Sequence, residues 1–398
     1  MEPRMHLNEQ AAALEPELIR LRRHLHQNPE FGITLPNTLA KVIAEVQNLG
    51  TVRSEPEISS ATVLIKGGQP GPTVLLRADM DGLAVTEDTG LPFASTNGYM
   101  HACGHDLHMA IGVGAARLIH ANRESLKGDV LMFFQSGEEG HGGADLMIER
   151  EMHLDSGSLP VVAYGIHVFS LGVSGQFATR PGPLMASAGD MIVRFKGRGG
   201  HGSMPWLAKD PVTPMIQAMG AIQQLTTKSF SAFDQVIVNI GWIRAGETDT
   251  TNIVPEEASF GATVRTFSRE HFTRIREELE RLIAGIAQAF GVEATVEFSP
   301  ASKVVINDAA AVEQVRETTS KLFGSHRFAY LPDPMTGGED FSSVLELIPG
   351  AFIFLSAGSP DLAPEQWQAN HSNKAIYDEA VIKDGAALLA QLAFDVLA

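Results

Sequence analysis

The sequence predicts an α/β fold with two domains: a larger one with a mixed central sheet flanked by helices, and a smaller ferredoxin-like βαββαβ domain inserted into it. Two patterns support this prediction. Toward both ends of the chain, apolar segments of strand length alternate with segments of helical spacing, as sheets covered by helices require. Between residues 185 and 298 the order becomes strand, helix, strand, strand, helix, strand, which is the split βαββαβ unit.

The individual elements follow in order along the chain. Helical spacing over about the first fifty residues is interrupted by "NPEFG", and "TVLLRADMDGL" then has the composition of a buried strand. A small-residue helix, "ACGHDLHMAIGVGAARLIHANR", precedes a further strand in "GDVLMFFQSGEEG". The segment "KVVINDAAAVEQVRETTSKLF" returns to helix after the insertion. We therefore expect one domain over residues 1–184 and 299–398 and the inserted domain over residues 185–298.

Composition and charge narrow the class of protein. The chain has 398 residues, 44% of them hydrophobic, which suffices for two buried cores. A formal net charge of -17 argues against a nucleic-acid partner, because binding phosphates requires a basic face. The N-terminus has charges throughout, and no segment has the length of uncharged apolar sequence that a membrane span needs. One cysteine allows no internal disulfide. We expect a cytoplasmic protein without a membrane partner.

The only cysteine stands in a stretch that could bind metal. Cys103 and His105 precede the predicted helix and are separated by Gly104, which permits unusual dihedrals and close backbone approach. A thiolate and an imidazole together form a soft to borderline metal site. The alternative is that Cys103 is only a small buried hydrophobe, and this stretch alone leaves both interpretations open.

A second candidate site follows the strand "DVLMFF". Glu138 and Glu139 are flanked by glycines there, and in extended backbone their side chains would point in opposite directions, one toward a metal and the other toward a water molecule. A plain surface turn is the alternative. His167, in an apolar strand, and His371, in a polar loop, are not informative alone. Together with the preceding residues they complete a set that could bind two ions: Cys103, His105, Glu139, His167 and His371.

The order of short motifs resembles a known enzyme family. The motifs are "RADMDGL", "HACGHD", "GEEG", "GIHV", "GRGGHGSMP", "GGEDFS" and "NHS". They resemble the N-acyl-amino-acid amidohydrolases, the hippurate hydrolase and indole-acetyl-amino-acid hydrolase branch of the aminoacylase and carboxypeptidase G metallopeptidase family. The resemblance extends over nearly the whole chain, including the inserted domain.

The resemblance implies a role for each candidate residue of the larger domain. Cys103 would bridge two divalent cations where the related peptidases have an aspartate, and Glu138 would be the general base. Zinc or manganese would be the metal, with cobalt or nickel also accepted. Asp79 stands where those peptidases have a metal-binding histidine, and Asp81 would orient a ligand ring. The other ligands implied are His105, Glu139, His167 and His371.

The inserted domain is implied to act as a lid and to pair two subunits. His201 resembles the histidine that reaches the partner's active site and stabilises the oxyanion, while Asn252 and Arg265 match positions that bind the substrate carboxylate. The chain departs from its relatives at Gly137, His141 and Trp206, which puts the substrate more in question than the reaction.

The implied activity is metal-dependent hydrolysis of small N-acyl-L-amino acids to a carboxylic acid and an amino acid, by a homodimer or larger homo-oligomer. A dipeptidase or carboxypeptidase of the same family is one alternative. A metal-independent hydrolase with Cys103 as nucleophile is another. A catalytically silent protein that binds a small ligand is the alternative from outside the enzymes.

Overall fold

A computed structural model of the chain describes residues 7–233, 236–299 and 302–398. These residues divide into two compact units. The first unit comprises the described residues of 1–184, 306–333 and 340–398, and the second comprises those of 185–305 and 334–339. Each unit has its own apolar core.

The first unit contains a mixed sheet of eight strands, which confirms the predicted central sheet. In spatial order the strands are β1, β2, β4, β3, β5, β16, β6 and β15. Strands β3, β4, β5 and β16 run parallel to their neighbours within this group, and β1, β2 and β6 add antiparallel pairs. The bounds are β1 (Thr51–Glu55), β2 (Ser60–Ile65), β3 (Gln69–Asp79), β4 (Lys127–Gln135), β5 (Val162–Phe169), β6 (Phe177–Thr179), β15 (Phe328–Tyr330) and β16 (Gly350–Ser356).

Helices cover this sheet, as the sequence predicts. Helix α3 packs closely against the sheet and against α1 and α9, because small residues leave room for neighbouring side chains. A Cβ at Gly114 would lie 2.7 Å from Leu18 of α1 and 2.8 Å from Ala386 of α9, so a larger residue there would clash. The bounds are α1 (Leu7–Gln27), α2 (Pro36–Val46), α3 (His105–Asn122), α4 (Gly143–Glu149), α7 (Ala309–Phe323), α8 (Phe341–Leu347) and α9 (Val381–Val396).

The parallel arrangement brings several strand ends to one edge of the sheet. Asp79, the last residue of β3, pairs with Gln135, the last residue of β4. Strand β5 runs parallel to β3, so its carboxyl end, with His167, lies at the same edge. Ligands in open α/β sheets bind beyond these carboxyl ends. The edge therefore collects polar side chains from segments that are far apart in sequence.

The second unit has a four-stranded antiparallel sheet with the spatial order β10, β12, β8 and β13. Helices α5 and α6 pack their apolar residues on it. Two short strands, β9 and β11, pair with each other, and β7 and β14 lie at the sequence boundaries of the unit. The bounds are β7 (Gly182–Met185), β8 (Ser187–Lys196), β9 (Gly200–His201), α5 (Val212–Ser229), β10 (Val236–Ala245), β11 (Ile253–Val254), β12 (Glu257–Thr266), α6 (Arg269–Phe290), β13 (Glu293–Phe298) and β14 (Val305–Asn307).

Across the described ranges, none of the helices has both the length and the apolar character that crossing a bilayer demands.

Candidate metal centre

Gly104 fixes the geometry of the cysteine segment. It adopts a φ of +86° immediately before α3, in the left-handed region that glycine enters without strain. A Cβ at this position would also lie 2.4 Å from Val168 Cγ2, closer than real contacts allow. The backbone therefore turns tightly between Cys103 and His105, and both side chains are buried.

The structure brings the sulfur together with two distant histidines. Cys103 Sγ lies 3.4 Å from His167 Nε2 and 3.2 Å from His371 Nε2. His371 Nε2 also lies 3.2 Å from Glu139 Oε1. These four residues come from a loop before α3, from β5, from the loop near residue 371 and from the turn after β4. Their contacts place a thiol, two imidazoles and a carboxylate around one point.

His105 joins both glutamates to the same cluster. Its Nε2 lies 3.9 Å from Glu138 Oε2 and 3.9 Å from Glu139 Oε1. The side chains of Glu138 and Glu139 are only 9% and 12% exposed. The five expected metal ligands and Glu138 are therefore close together.

The donor atoms fit a pair of divalent cations. His105 is fully buried, yet within the described residues neither of its ring nitrogens has a well-formed hydrogen bond; the nearest oxygens of Asp79 and Asp81 are 3.5 Å away. Buried polar atoms normally have a partner, and imidazole, thiolate and carboxylate are the donors that zinc and similar ions prefer. Overlapping groups of donors lie within 4.8 Å of one another: Cys103, His105 and His167; Cys103, Glu139 and His371; His105, Glu138 and Glu139.

The prediction of extended backbone at the two glutamates is wrong. Glu138, Glu139 and Gly140 form a turn after β4, and the Gly140 N–H donates to the Glu138 carbonyl at 2.6 Å. Asp81 holds this turn, because its two carboxylate oxygens accept the backbone N–H groups of Glu138 and Glu139, each at 3.0 Å. The two glutamates therefore lie in a turn whose backbone N–H groups are both accepted by Asp81. They do not lie in an extended segment in which successive side chains would alternate.

The buried Asp79 carboxylate is paired with two side chains of the protein, Arg77 and His108. It accepts from Arg77 Nη1 at 2.6 Å and lies 2.5 Å from His108 Nδ1. Burial alone would raise the pKa of Asp79, but Arg77, with smaller contributions from His105 and His108, holds that pKa well below its usual value. His108 in turn accepts the Val168 N–H at Nε2, at 2.8 Å. The aspartate therefore braces the end of β5, beside His167.

The titratable groups of the cluster have strongly shifted pKa values. Burial, followed by the Glu139 carboxylate, raises the pKa of Cys103. Burial and the neighbouring His108 hold the pKa of His167 well below its ordinary value. Hydrogen bonds to Cys103 and to Glu139 raise the pKa of His371 to about 10. Without bound cations, His371 is thus a protonated group that faces the thiol and the carboxylate.

The other three predicted site residues lie in the second unit. His201 is exposed on β9, where its Nδ1 accepts the Ser203 N–H at 3.1 Å. The Asn252 carbonyl, next to β11, accepts the Gly202 N–H at 2.6 Å. Arg265 on β12 is partly buried, which lowers its pKa, and its Nη1 donates to the Gly189 carbonyl at 3.2 Å. Their roles in oxyanion and substrate binding stay predictions.

Sequence reasoning missed several residues that support the cluster. His108 follows His105 by three positions on α3, so helical spacing was the available signal. Asn370 and Asp340 lie in the motifs "NHS" and "GGEDFS", which were the available signal for them. Asp340 accepts from Gln135 Nε2 at 2.7 Å, from Arg77 Nη2 at 3.2 Å and from the Ala144 N–H at 2.9 Å. No local pattern indicates these long-range contacts.

Comparison with known proteins agrees with this arrangement. Residues 75–395 match the model of peptidase family M20/M25/M40. The chain belongs to that family. The resemblance predicted from the motifs is thereby confirmed, and a family that includes a dinuclear metal-binding peptidase accounts for a cluster of metal-binding donors.

Individual relatives are similar over almost their full length. A thermostable carboxypeptidase 1 of Saccharolobus solfataricus is 35% identical, with 96% of this chain and 95% of the relative covered. An N-acetylcysteine deacetylase of Bacillus subtilis is 32% identical, with 97% and 98% covered. Among solved structures, the chain is similar to the crystal structure of the Bacillus subtilis YXEP protein, a dinuclear metal-binding peptidase. The two sequences are 29% identical, the TM-score is 0.82, and the match covers 97% of this chain and 99% of that one.

The contact between Asp81 and the glutamate turn can be tested with an isosteric variant. Asp81→Asn would place an amide N–H₂ group against one of the two backbone N–H groups that the carboxylate now accepts, so the turn should loosen. We expect zinc to bind about 10- to 100-fold more weakly, the range for residues that support metal ligands, measured by calorimetry on the metal-free protein. Asp129→Asn is the control, since Asp129 accepts the Gly67 N–H at the opposite end of β4. Equal zinc affinity in both variants would contradict the assignment.

The raised pKa of His371 predicts a pH-dependent affinity for metal. Because the folded pKa of about 10 exceeds the ordinary value near 6.5, the ring holds a proton across the intervening range that a cation must displace. In the metal-free protein the pairing stabilises the fold below about pH 6.5, and that stabilisation is lost as pH rises toward 10. Zinc affinity should therefore rise with pH over this range, less steeply in His371→Gln.

Exposed His24 supplies the control for this titration, and His24→Gln should retain the slope of the unmodified protein. A slope that is the same in all three proteins would show that His371 does not release the proton.

Proposed function

We propose that this protein hydrolyses the amide bond of N-acyl-L-amino acids and releases a carboxylic acid and an amino acid. The observation that carries the proposal is the convergence of Glu138 with five metal-binding side chains at one edge of the sheet. The relatives named as a deacetylase of N-acetylcysteine and as a hydrolase of amino-acid conjugates of IAA support the same class of substrate. A protein that only bound ligands would have no need of a carboxylate beside the ligand set.

The proposed metal ligands, which would hold two divalent cations, are Cys103, His105, Glu139, His167 and His371. When bound, such cations lower the pKa of water and polarise a carbonyl oxygen. Glu138 would accept the proton of the attacking water and deliver a proton to the leaving amine. Its carboxylate is nearly buried beside His105, where a proton acceptor is shielded from bulk solvent. Zinc or manganese suits this mixture of sulfur, nitrogen and oxygen donors.

The second unit would complete the site in a homodimer. We assign residues 185–298 to an inserted ferredoxin-like lid and dimerisation domain, and residues 1–184 and 299–398 to the catalytic domain. His201 of the partner subunit would stabilise the oxyanion, and Asn252 and Arg265 would bind the carboxylate of the amino-acid part. The compactness of the second unit and its four-stranded sheet support this division.

We place the enzyme in the cytoplasm.

A carboxypeptidase acting on peptides is the second candidate. The 35% identity to a thermostable carboxypeptidase is the observation that favours it. Both reactions would use the same ligands and the same base, so they differ in the group on the acyl side of the bond. Turnover of N-acetyl and N-benzoyl amino acids compared with that of dipeptides carrying a free amine separates the two functions.

The role of Glu138 as base predicts separate effects on metal and on turnover. Glu138→Gln keeps the size of the side chain but cannot accept the proton, so kcat should fall at least about a hundredfold while metal content is unchanged. Hydrolysis of N-acetyl amino acids and elemental analysis measure the two quantities. Glu124→Gln, at a largely exposed glutamate, is the control. Undiminished turnover in Glu138→Gln would refute the assignment.

Removal of metal distinguishes this mechanism from a cysteine nucleophile. Exhaustive chelation should abolish hydrolysis, and zinc, manganese or cobalt should restore it, because the raised pKa of Cys103 makes the free thiol a poor nucleophile. Activity is measured on N-acyl amino acids before chelation, after it and after readdition. Hydrolysis that survived chelation would instead support a Cys103 nucleophile. Binding of acyl-amino acids with no product at any metal content would support the catalytically silent alternative.

A further inference from the structure

The side chain of Asn370 connects three segments of the metal centre. Its Nδ2 donates to the Val168 carbonyl at 3.0 Å and to the Cys103 carbonyl at 3.2 Å, and it lies 3.8 Å from Cys103 Sγ. Its Oδ1 accepts the Ser170 N–H at 3.0 Å and shares the Ser170 hydroxyl, also at 3.0 Å, with the Gln368 carbonyl at 2.7 Å. One amide group thus joins the loop before α3, the end of β5 and the loop that follows residue 369.

The partners of this amide fix its orientation. Backbone carbonyls only accept and the Ser170 N–H only donates, so the nitrogen of Asn370 must face the carbonyls and the oxygen must face Ser170. An aspartate of the same shape could not donate. It would place a carboxylate against the carbonyl oxygens of Cys103 and Val168. This position therefore requires the N–H donors of an asparagine as well as a side chain of its size.

Three of the five proposed ligands depend on these contacts. The carbonyl of Cys103 accepts a hydrogen bond from Asn370, and so does the carbonyl of Val168, the residue after His167. His371 is the next residue after Asn370. His371 also has a φ of +71°, a left-handed conformation that residues other than glycine seldom adopt. Neighbouring hydrogen bonds must hold such a backbone in place, and the His371 N–H donates to the Ala102 carbonyl at 2.8 Å.

We propose that Asn370 is a positioning residue that sets the spacing of Cys103, His167 and His371. Both N–H groups of the amide donate to carbonyls, so Asn370 would act on the sulfur by fixing the Cys103 backbone that carries it. The inference rests on the proposed metal centre and adds to it a residue outside the ligand set. Asn370 acts through the ligands and makes no contact with substrate in this role.

Cobalt provides a readout that general destabilisation would not produce. In the full-length protein, the charge-transfer absorption between a thiolate and Co²⁺ reports the bond between Cys103 and the metal. We expect Asn370→Asp to shift and weaken this absorption and to raise the Kd for Co²⁺ by about 10- to 100-fold, the usual range for residues that support a ligand. Spectroscopic titration of the metal-free protein measures both quantities.

Asn97→Asp is the matched control. Asn97 also uses both ends of its amide, since it donates to the Pro29 carbonyl at 2.8 Å and accepts from the Ser95 hydroxyl at 2.9 Å. That variant loses the same kind of hydrogen bond outside the cluster, and its cobalt spectrum should match that of the unmodified protein.

A milder variant keeps the test valid if Asn370→Asp does not fold. Ser170→Ala retains the Asn370 amide and removes one of its two Ser170 donors. The spectral change should go in the same direction and be smaller. A cobalt spectrum and Kd unchanged in Ser170→Ala would then count against the inference.

The possible failures can be told apart. If the unmodified protein shows the thiolate absorption but Asn370→Asp has the same spectrum and Kd, the inference is wrong and the proposed function stands. Equal changes in Asn370→Asp and Asn97→Asp would also overturn it, because they would reflect a general loss of stability. If the unmodified protein lacks the absorption, the metal centre itself is wrong and the inference falls with it.

Discussion

The burial of several ionisable groups around His105 is the constraint on which the centre depends. Charged groups removed from water are costly unless each has a compensating partner. Asp79 has Arg77 and His108, and Asp81 has two backbone N–H groups. Glu139 and the Cys103 sulfur face imidazole rings. In the metal-free protein, protonated His371 supplies the positive charge that faces Cys103 and Glu139. Divalent cations would take over that compensation, which gives the fold a physical reason to bind metal.

The sheet brings the candidate side chains to one edge, and short-range hydrogen bonds then fix their positions. Parallel strands β3, β4 and β5 end together, which brings aspartate, glutamate and histidine from distant segments within reach of one another. The loops beyond the strands then need their own fixation, which Asp81 provides for the glutamate turn and Asn370 for the histidine loop. The proposed ligands and the residues that hold their loops are therefore separate sets, drawn from the same few loops.

Sequence could indicate candidate metal-binding side chains and the strands beside them, because residue types and apolar patterns are local features, and the structure brings those side chains together. Cys103 and His105 stand before an apolar helix, and Glu138 follows an apolar strand. The flanking glycines left a turn at Glu138 open as an alternative, but the contact with Asp81 that holds this turn, 57 residues earlier in the chain, is not a local feature. Asn370 escaped for the same reason: its partners become neighbours only in the folded unit. The central sheet and its helices could be predicted from periodicity, whereas the roles of residues in the second unit came from family resemblance alone.

The acidity of the chain makes local cations necessary for the proposed substrate. An N-acyl amino acid carries a carboxylate, and a protein with a formal net charge of -17 repels it at long range. Screening by salt confines that repulsion to about 10 Å, so groups close to the site decide whether the anion binds. Divalent cations held by the proposed ligands would reverse the local sign of the charge. Metal in this protein would thus serve substrate binding as well as the chemical step.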